Sequence, residues 1–218
     1  MFKDDFIMKI IRQASMVFHR VLGLVNADQL DEAEATLGEA AMEYLGMDWE
    51  TVEANSAEML ISLLGNNDQA GLGQMIMLAD LLRAQGIIHT HDELEESAYA
   101  SFLKALQVRL SLTIGHDLSN AHLDATIDEL VDEHLGDYLL PTSVVQQLFI
   151  YYEKTTQLDQ AEEVLWELVE EHITETDIVQ YGLEFYERLL QKTDTDLATG
   201  SITREQVQKG FDDLWEKR

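Results

Sequence analysis

Apolar positions recur along this chain at three- and four-residue intervals, the spacing that lines one face of a helix. The clearest stretch runs from Ala79 to Leu112. In its first half Leu82, Gly86 and His89 share a face, in its second Ala98, Phe102 and Ala105 do, and a polar break from His89 to Asp92 separates the halves. The pattern predicts an αα-hairpin whose helices come closest at Gly86 and Ala98, where a bulkier side chain would push the backbones apart. Upstream, Phe6, Ile10, Ala14, Val17, Val21 and Leu24 form one stripe, and Leu30, Ala33, Leu37, Ala40 and Tyr44 a second. Downstream, Leu123, Ile127, Leu130, Val131, Leu135 and Tyr138 form a lone stripe, a further pair follows Pro141, and a less regular pair carries Ile178, Phe185, Leu189, Val207 and Leu214.

These stripes predict hairpins over about 4–45, 72–113, 142–172 and 176–216, with connector helices over about 48–65 and 120–137, in one repeat domain spanning 1–218. Local punctuation agrees. Gly46 stands where a left-handed C-terminal residue is needed, Asp48 can cap the next helix, Asn55 with Glu58 reads as a capping box, and Thr203 with Gln206 as another. Asp117–Asn120 reads as a turn, and Thr193–Ser201 reads as a loop. No apolar run alternates strictly enough for a strand, so the fold class is all-α.

The alanines Ala33, Ala98 and Ala161 recur at nearly even spacing, and Gln29-Leu30-Asp31-Glu32-Ala33-Glu34 returns as Gln157-Leu158-Asp159-Gln160-Ala161-Glu162. The central hairpin, with Gly86, Ala98, Phe102 and Ala105 on its motif positions, resembles the tetratricopeptide repeat, a unit of about 34 residues. Tyr152, Ala161 and Leu165, and Leu24, Ala33, Leu37 and Ala40, carry the likeness more thinly in the other hairpins, with Phe149 and Val21 where the motif wants a small residue. The resemblance implies a tetratricopeptide-like superhelix of about four hairpins that acts as a protein-interaction scaffold. It also implies a concave face built from the first helix of each hairpin: His19, Leu22 and Asn26; Arg83, Ile87 and His91; Gln147, Ile150 and Lys154. The whole chain, especially DDFIMKIIRQ, LDEAEATLGEAAMEYLGMD and LADLLRAQG, further resembles an uncharacterised family of small acidic proteins from low-GC Gram-positive bacteria, which implies no activity.

Charge narrows the choice of partner. Against 42 Asp and Glu the chain has only 14 Lys and Arg, a formal net charge of -28. Such a chain repels phosphate backbones, so nucleic acid is not expected as a partner, and a protein or peptide that is basic overall is. Arg83 and Lys154 then stand out as rare cations that would anchor one acidic group or C-terminus of that peptide. There are no cysteines, which removes disulfides, thiolate metal sites and a cysteine nucleophile. The first residues lack an unbroken apolar signal core and no run approaches a membrane span, so a cytoplasmic protein is expected.

Candidate chemistry is sparse. His89, His91 and Asp92, followed by His116 and Asp117, imitate the His and Asp order of all-α phosphohydrolases, the alternative reading, which requires those groups to converge on one metal. The pairs Glu93 with Glu96 and Glu129 with Asp132 resemble the acidic helices with which all-α nucleotide pyrophosphatases hold Mg²⁺, but so acidic a chain produces such pairs by chance. No phosphate loop, dinucleotide glycine motif or serine elbow is present. No cofactor is expected. Met75, Met77, Tyr151, Tyr152, Trp166, Phe185 and Tyr186 fit core positions better than a groove.

Overall fold

A computed structural model describes residues 2–65, 68–116, 118, 121–171 and 176–218. Among the described residues the regular elements are all helical: α1 (Phe2–Asn26), α2 (Leu30–Ala40), α3 (Trp49–Ala54), α4 (Ala57–Leu64), α5 (Gln69–His91), α6 (Glu95–His116), α7 (Ala121–Glu129), α8 (Thr142–Lys154), α9 (Leu158–Glu171), α10 (Thr176–Leu190), α11 (Asp194–Thr199) and α12 (Arg204–Trp215). Helices α2 and α7 each run on into a π-helical turn, Ala41–Leu45 and Leu130–Leu135. The sequence pattern suggests one repeat domain; contacts within the chain gather into two compact units, 1–139 and 140–218.

In the first unit α5 is the central element, packed against α1, α2, α4 and its hairpin partner α6. Residues such as Leu72, Met75, Ile76, Met77, Leu78, Leu81 and Leu82 cover every side of it and all are buried. A helix apolar all round must be enclosed all round. Two glycines allow the close approaches. A Cβ on Gly73 would sit 3.3 Å from Ile10 of α1, and one on Gly86 would sit 2.5 Å from the Phe102 ring of α6.

In the second unit α8 pairs with α9 and α10 with α12, around a ring cluster in which Phe149 meets Tyr181 and Phe185, each at 5.1 Å between centroids. Here α10 and α12 close over Gly182, where an added Cβ would lie 2.5 Å from Leu214. Trp166 Nε1 donates to the Tyr186 hydroxyl (3.0 Å), which donates in turn to Glu162 Oε1 (2.8 Å). Burial raises the Glu162 carboxyl above its ordinary value despite that hydrogen bond, so the folded state holds its proton more tightly than the unfolded chain does. Stability therefore falls as pH rises through that interval. Glu162→Gln keeps a carbonyl acceptor and removes the charge, so its urea midpoint should exceed that of the wild type at pH 7. The advantage should vanish below the normal carboxylate range; a variant less stable at pH 7 would contradict this account.

Four local expectations need correction. The connector over 48–65 is two helices: Asp48 Oδ1 accepts from Thr51 N (2.7 Å) and Ser56 Oγ from Met59 N (3.3 Å). The cap at the second is Ser56, because Asn55 turns back and donates from Nδ2 to Thr51 O (2.7 Å). Helix α11 occupies the expected loop at 193–201, started by a Thr193–Asp196 capping box and fastened by one buried side chain, Leu197. Tyr138, expected in the apolar stripe of the connector over 120–137, lies beyond the π turn and is exposed. By contrast Gly46 is left-handed (φ 74°) and Thr203 forms the expected box with Gln206. The turn expected at Asp117–Asn120 lies largely outside the described residues.

Candidate functional site

The sequence-predicted site residues are spread widely. His19 and Arg83 border one small cleft, Asn26 is exposed near the end of α1, and Ile87 is half-buried on α5. Gln147, Ile150 and Lys154 lie on α8 in the second unit, the first two half-buried and Lys154 exposed. Arg83 is the correction that matters: it is 7% exposed and faces the interior, because α5 is enclosed by neighbours instead of lining an open concave face. The described residues of the metal reading do not gather at one point. Gln85 Nε2 donates to His89 Nε2 (2.8 Å), leaving the ring proton on Nδ1 to face Ser101 Oγ (3.2 Å). His91 lies 3.9 Å from Asp28, Asp92 closes α5, and His116 ends α6, while Asp117 is outside the described residues. Among the described residues no three His, Asp or Glu side chains gather as a metal site requires.

The structure instead builds two linked polar features in the first unit. One is a groove of about 670 Å³ beside the start of α6. Glu95, Ala98, Tyr99 and Phe102 follow one face of that helix, and the π turn after α7 brings Glu133 and His134 opposite, with Asp137 and Tyr138 just beyond. Tyr99 packs on Tyr138 at 4.8 Å between centroids, and Phe102 stacks on His134 at 4.0 Å, nearly parallel. Glu93, Glu95, Glu133 and Asp137 supply four carboxylates around these rings, and the lining includes no lysine or arginine. Aromatic faces beside carboxylates are the chemistry that holds ammonium and guanidinium groups.

The other feature is a buried ionic cluster. Asp80 Oδ1 accepts from Arg109 Nη2 at 2.5 Å, and Arg83 Nη1 lies 3.7 Å from the same oxygen. Arg83 also sets its guanidinium 3.6 Å over the Phe18 ring and its Nε 3.5 Å from Glu129 Oε1. Burial draws Arg83 below its ordinary value, against the attraction of Asp80 and Glu129. The π turn closes the loop by bringing His134 Nε2 within 3.5 Å of Glu129, and this hydrogen bond, helped by Arg83, holds the Glu129 carboxyl below the usual carboxylate range. His134 thus stacks on the groove's Phe102 and bonds to the cluster's Glu129, joining the two features.

Helical periodicity reveals neither. Tyr99 and Phe102 at i and i+3 beside Glu95 are the signal for the groove, but with 42 acidic residues carboxylates fall beside aromatics everywhere. Partners as distant as Asp80 and Arg109 leave no local spacing to read.

An all-helical protein with an acidic, aromatic surface groove and a buried ionic cluster is the class that this geometry defines. The chain belongs to the Family of unknown function (DUF6483), whose profile matches residues 1–218. No curated protein and no solved structure matched it.

Proposed function

We propose that this chain is a protein-interaction module, tetratricopeptide-like and cytoplasmic, whose groove beside α6 receives a basic segment of a partner protein. The observation that carries this reading is the groove itself, where four carboxylates surround Tyr99, Phe102 and Tyr138. A lysine or arginine over the Tyr99 or Tyr138 ring gains about 0.5–1 kcal/mol per contact at an exposed site, while Phe102, 3% exposed and stacked on His134, forms the floor. The net charge of -28 steers cationic segments toward the surface from roughly 8 to 10 Å at physiological salt. Binding therefore rests on a few aromatic and ionic contacts rather than on a large apolar seam.

The test is fluorescence anisotropy with a labelled lysine- and arginine-rich peptide, beside a glutamate-rich peptide of equal length. The basic peptide should bind with an affinity that falls as salt rises, and the acidic one should not bind. Glu133→Lys with Asp137→Lys should weaken binding roughly tenfold or more, and Tyr99→Ala should weaken it with less change in salt dependence. Binding that survives all three substitutions would place the peptide elsewhere and sink the reading.

A further inference from the structure

The ionic cluster opens to the surface through a cleft of about 130 Å³ between α1, α5 and α7, separate from the groove. Two of its wall residues are more than nine-tenths buried and carry polar atoms with no hydrogen-bond partner: Asp80, 2% exposed, at Oδ2, and Arg83, 7% exposed, at Nε. A buried carboxylate oxygen without a hydrogen bond is costly, and Arg83 Nε has only its 3.5 Å ion pair with Glu129 Oε1. Both border the same small space.

The charges decide what fits there. The wall carries the carboxylates of Asp80 and Glu129 and the guanidinium of Arg83, and Arg109 grips Asp80 from behind. With neutral histidines these four sum to zero, so a lone cation meets Arg83 and a lone anion meets Asp80 and Glu129. A ligand bearing both signs on neighbouring atoms avoids either conflict. Its ammonium donates to Asp80 Oδ2 and its carboxylate accepts from Arg83, beside Ser15, whose hydroxyl meets His122 Nε2, and Thr126, whose hydroxyl accepts from Arg83 Nη1. The space admits few atoms beyond that head group, since a water's share of liquid volume is about 30 Å³.

We propose that this cleft binds a small zwitterion, an α-amino acid with a short side chain, between Asp80 and Arg83.

Isothermal titration with glycine and alanine, beside acetate and methylammonium at matched ionic strength, tests the assignment. An amino acid should bind saturably, and each half-ligand roughly tenfold more weakly or worse. Asp80 and Arg83 support the fold, so the probing variant is Ala125→Phe, an exposed cleft-wall position on α7 that keeps every charge. It should abolish the titration while leaving the urea midpoint of the free protein in place. Equal binding of acetate or methylammonium, amino-acid binding unchanged in Ala125→Phe, or no binding of any of the four at millimolar concentration would each overturn the proposal. The basic-peptide groove shares none of these readouts, so either reading can fail without the other.

Discussion

Asp80→Ala is expected to cost about 3 to 5 kcal/mol, the range for removing one partner of a buried ion pair. Asp80 is the carboxylate that Arg109 Nη2 grips, and Arg109 is 1% exposed with its Nε and Nη1 already unpaired. Without Asp80 two guanidiniums face one another in the interior, with the half-buried Glu129 as the nearest compensation for Arg83. The loss comes from an uncompensated charge, not from a missing attraction. The double variant Asp80→Leu with Arg109→Met should therefore be more stable than Asp80→Ala, because it removes the stranded charge with the carboxylate. Urea unfolding followed by circular dichroism reads both. A single-variant loss under about 1 kcal/mol, the range of exposed pairs, would show that the cluster is not buried as described.

Gly86→Leu should destabilise by about 1 to 3 kcal/mol or more through overpacking. Its Cβ alone would fall 2.5 Å from the Phe102 ring, and that ring cannot swing aside freely because it stacks on His134 at 4.0 Å. Even Gly86→Ala should lose stability, although alanine is favoured over glycine in a helix interior by about 1 kcal/mol. Phe102→Leu added to Gly86→Ala should return part of the loss by making room. A Gly86→Leu protein as stable as the wild type would mean that α5 and α6 do not meet there. Since Phe102 also floors the groove, Gly86→Leu should weaken the basic peptide along with the fold.

Much of the helical framework is legible in the sequence because it is written in short range. The face shared by Ala98, Phe102 and Ala105 requires only a helical period, the left-handed Gly46 only a glycine after a stripe, and the Thr203–Gln206 box only a spacing of three. Likeness to a repeat hairpin makes the first central helix two-faced, with Arg83 on an open side. Its apolar residues run all round, and that excess is the available sign that neighbours enclose most of α5. Helix α11 escapes because Thr-Asp-Thr-Asp-Leu-Ala-Thr-Gly offers one apolar anchor where a stripe needs several. Tyr138 falls in the apolar stripe only if a regular α period is carried through Leu130–Leu135, where the chain winds more widely. That same π turn sets Glu133 and His134 opposite Tyr99 and Phe102, so the groove is hidden by the feature that makes it. The ionic cluster joins Asp80, Arg109 and Glu129 from three helices, which no periodicity in one of them announces.

The central claim, that the groove beside α6 is where a basic partner docks, is tested most directly by titrating the lysine- and arginine-rich peptide into isotopically labelled protein and mapping the amide shifts. The account predicts the largest changes at Glu93, Glu95, Tyr99, Phe102, Glu133, His134 and Tyr138, growing saturably with peptide and shrinking as salt is added. Shifts of equal size spread over acidic positions throughout the chain, or centred on α8 around Gln147, Ile150 and Lys154, would contradict it.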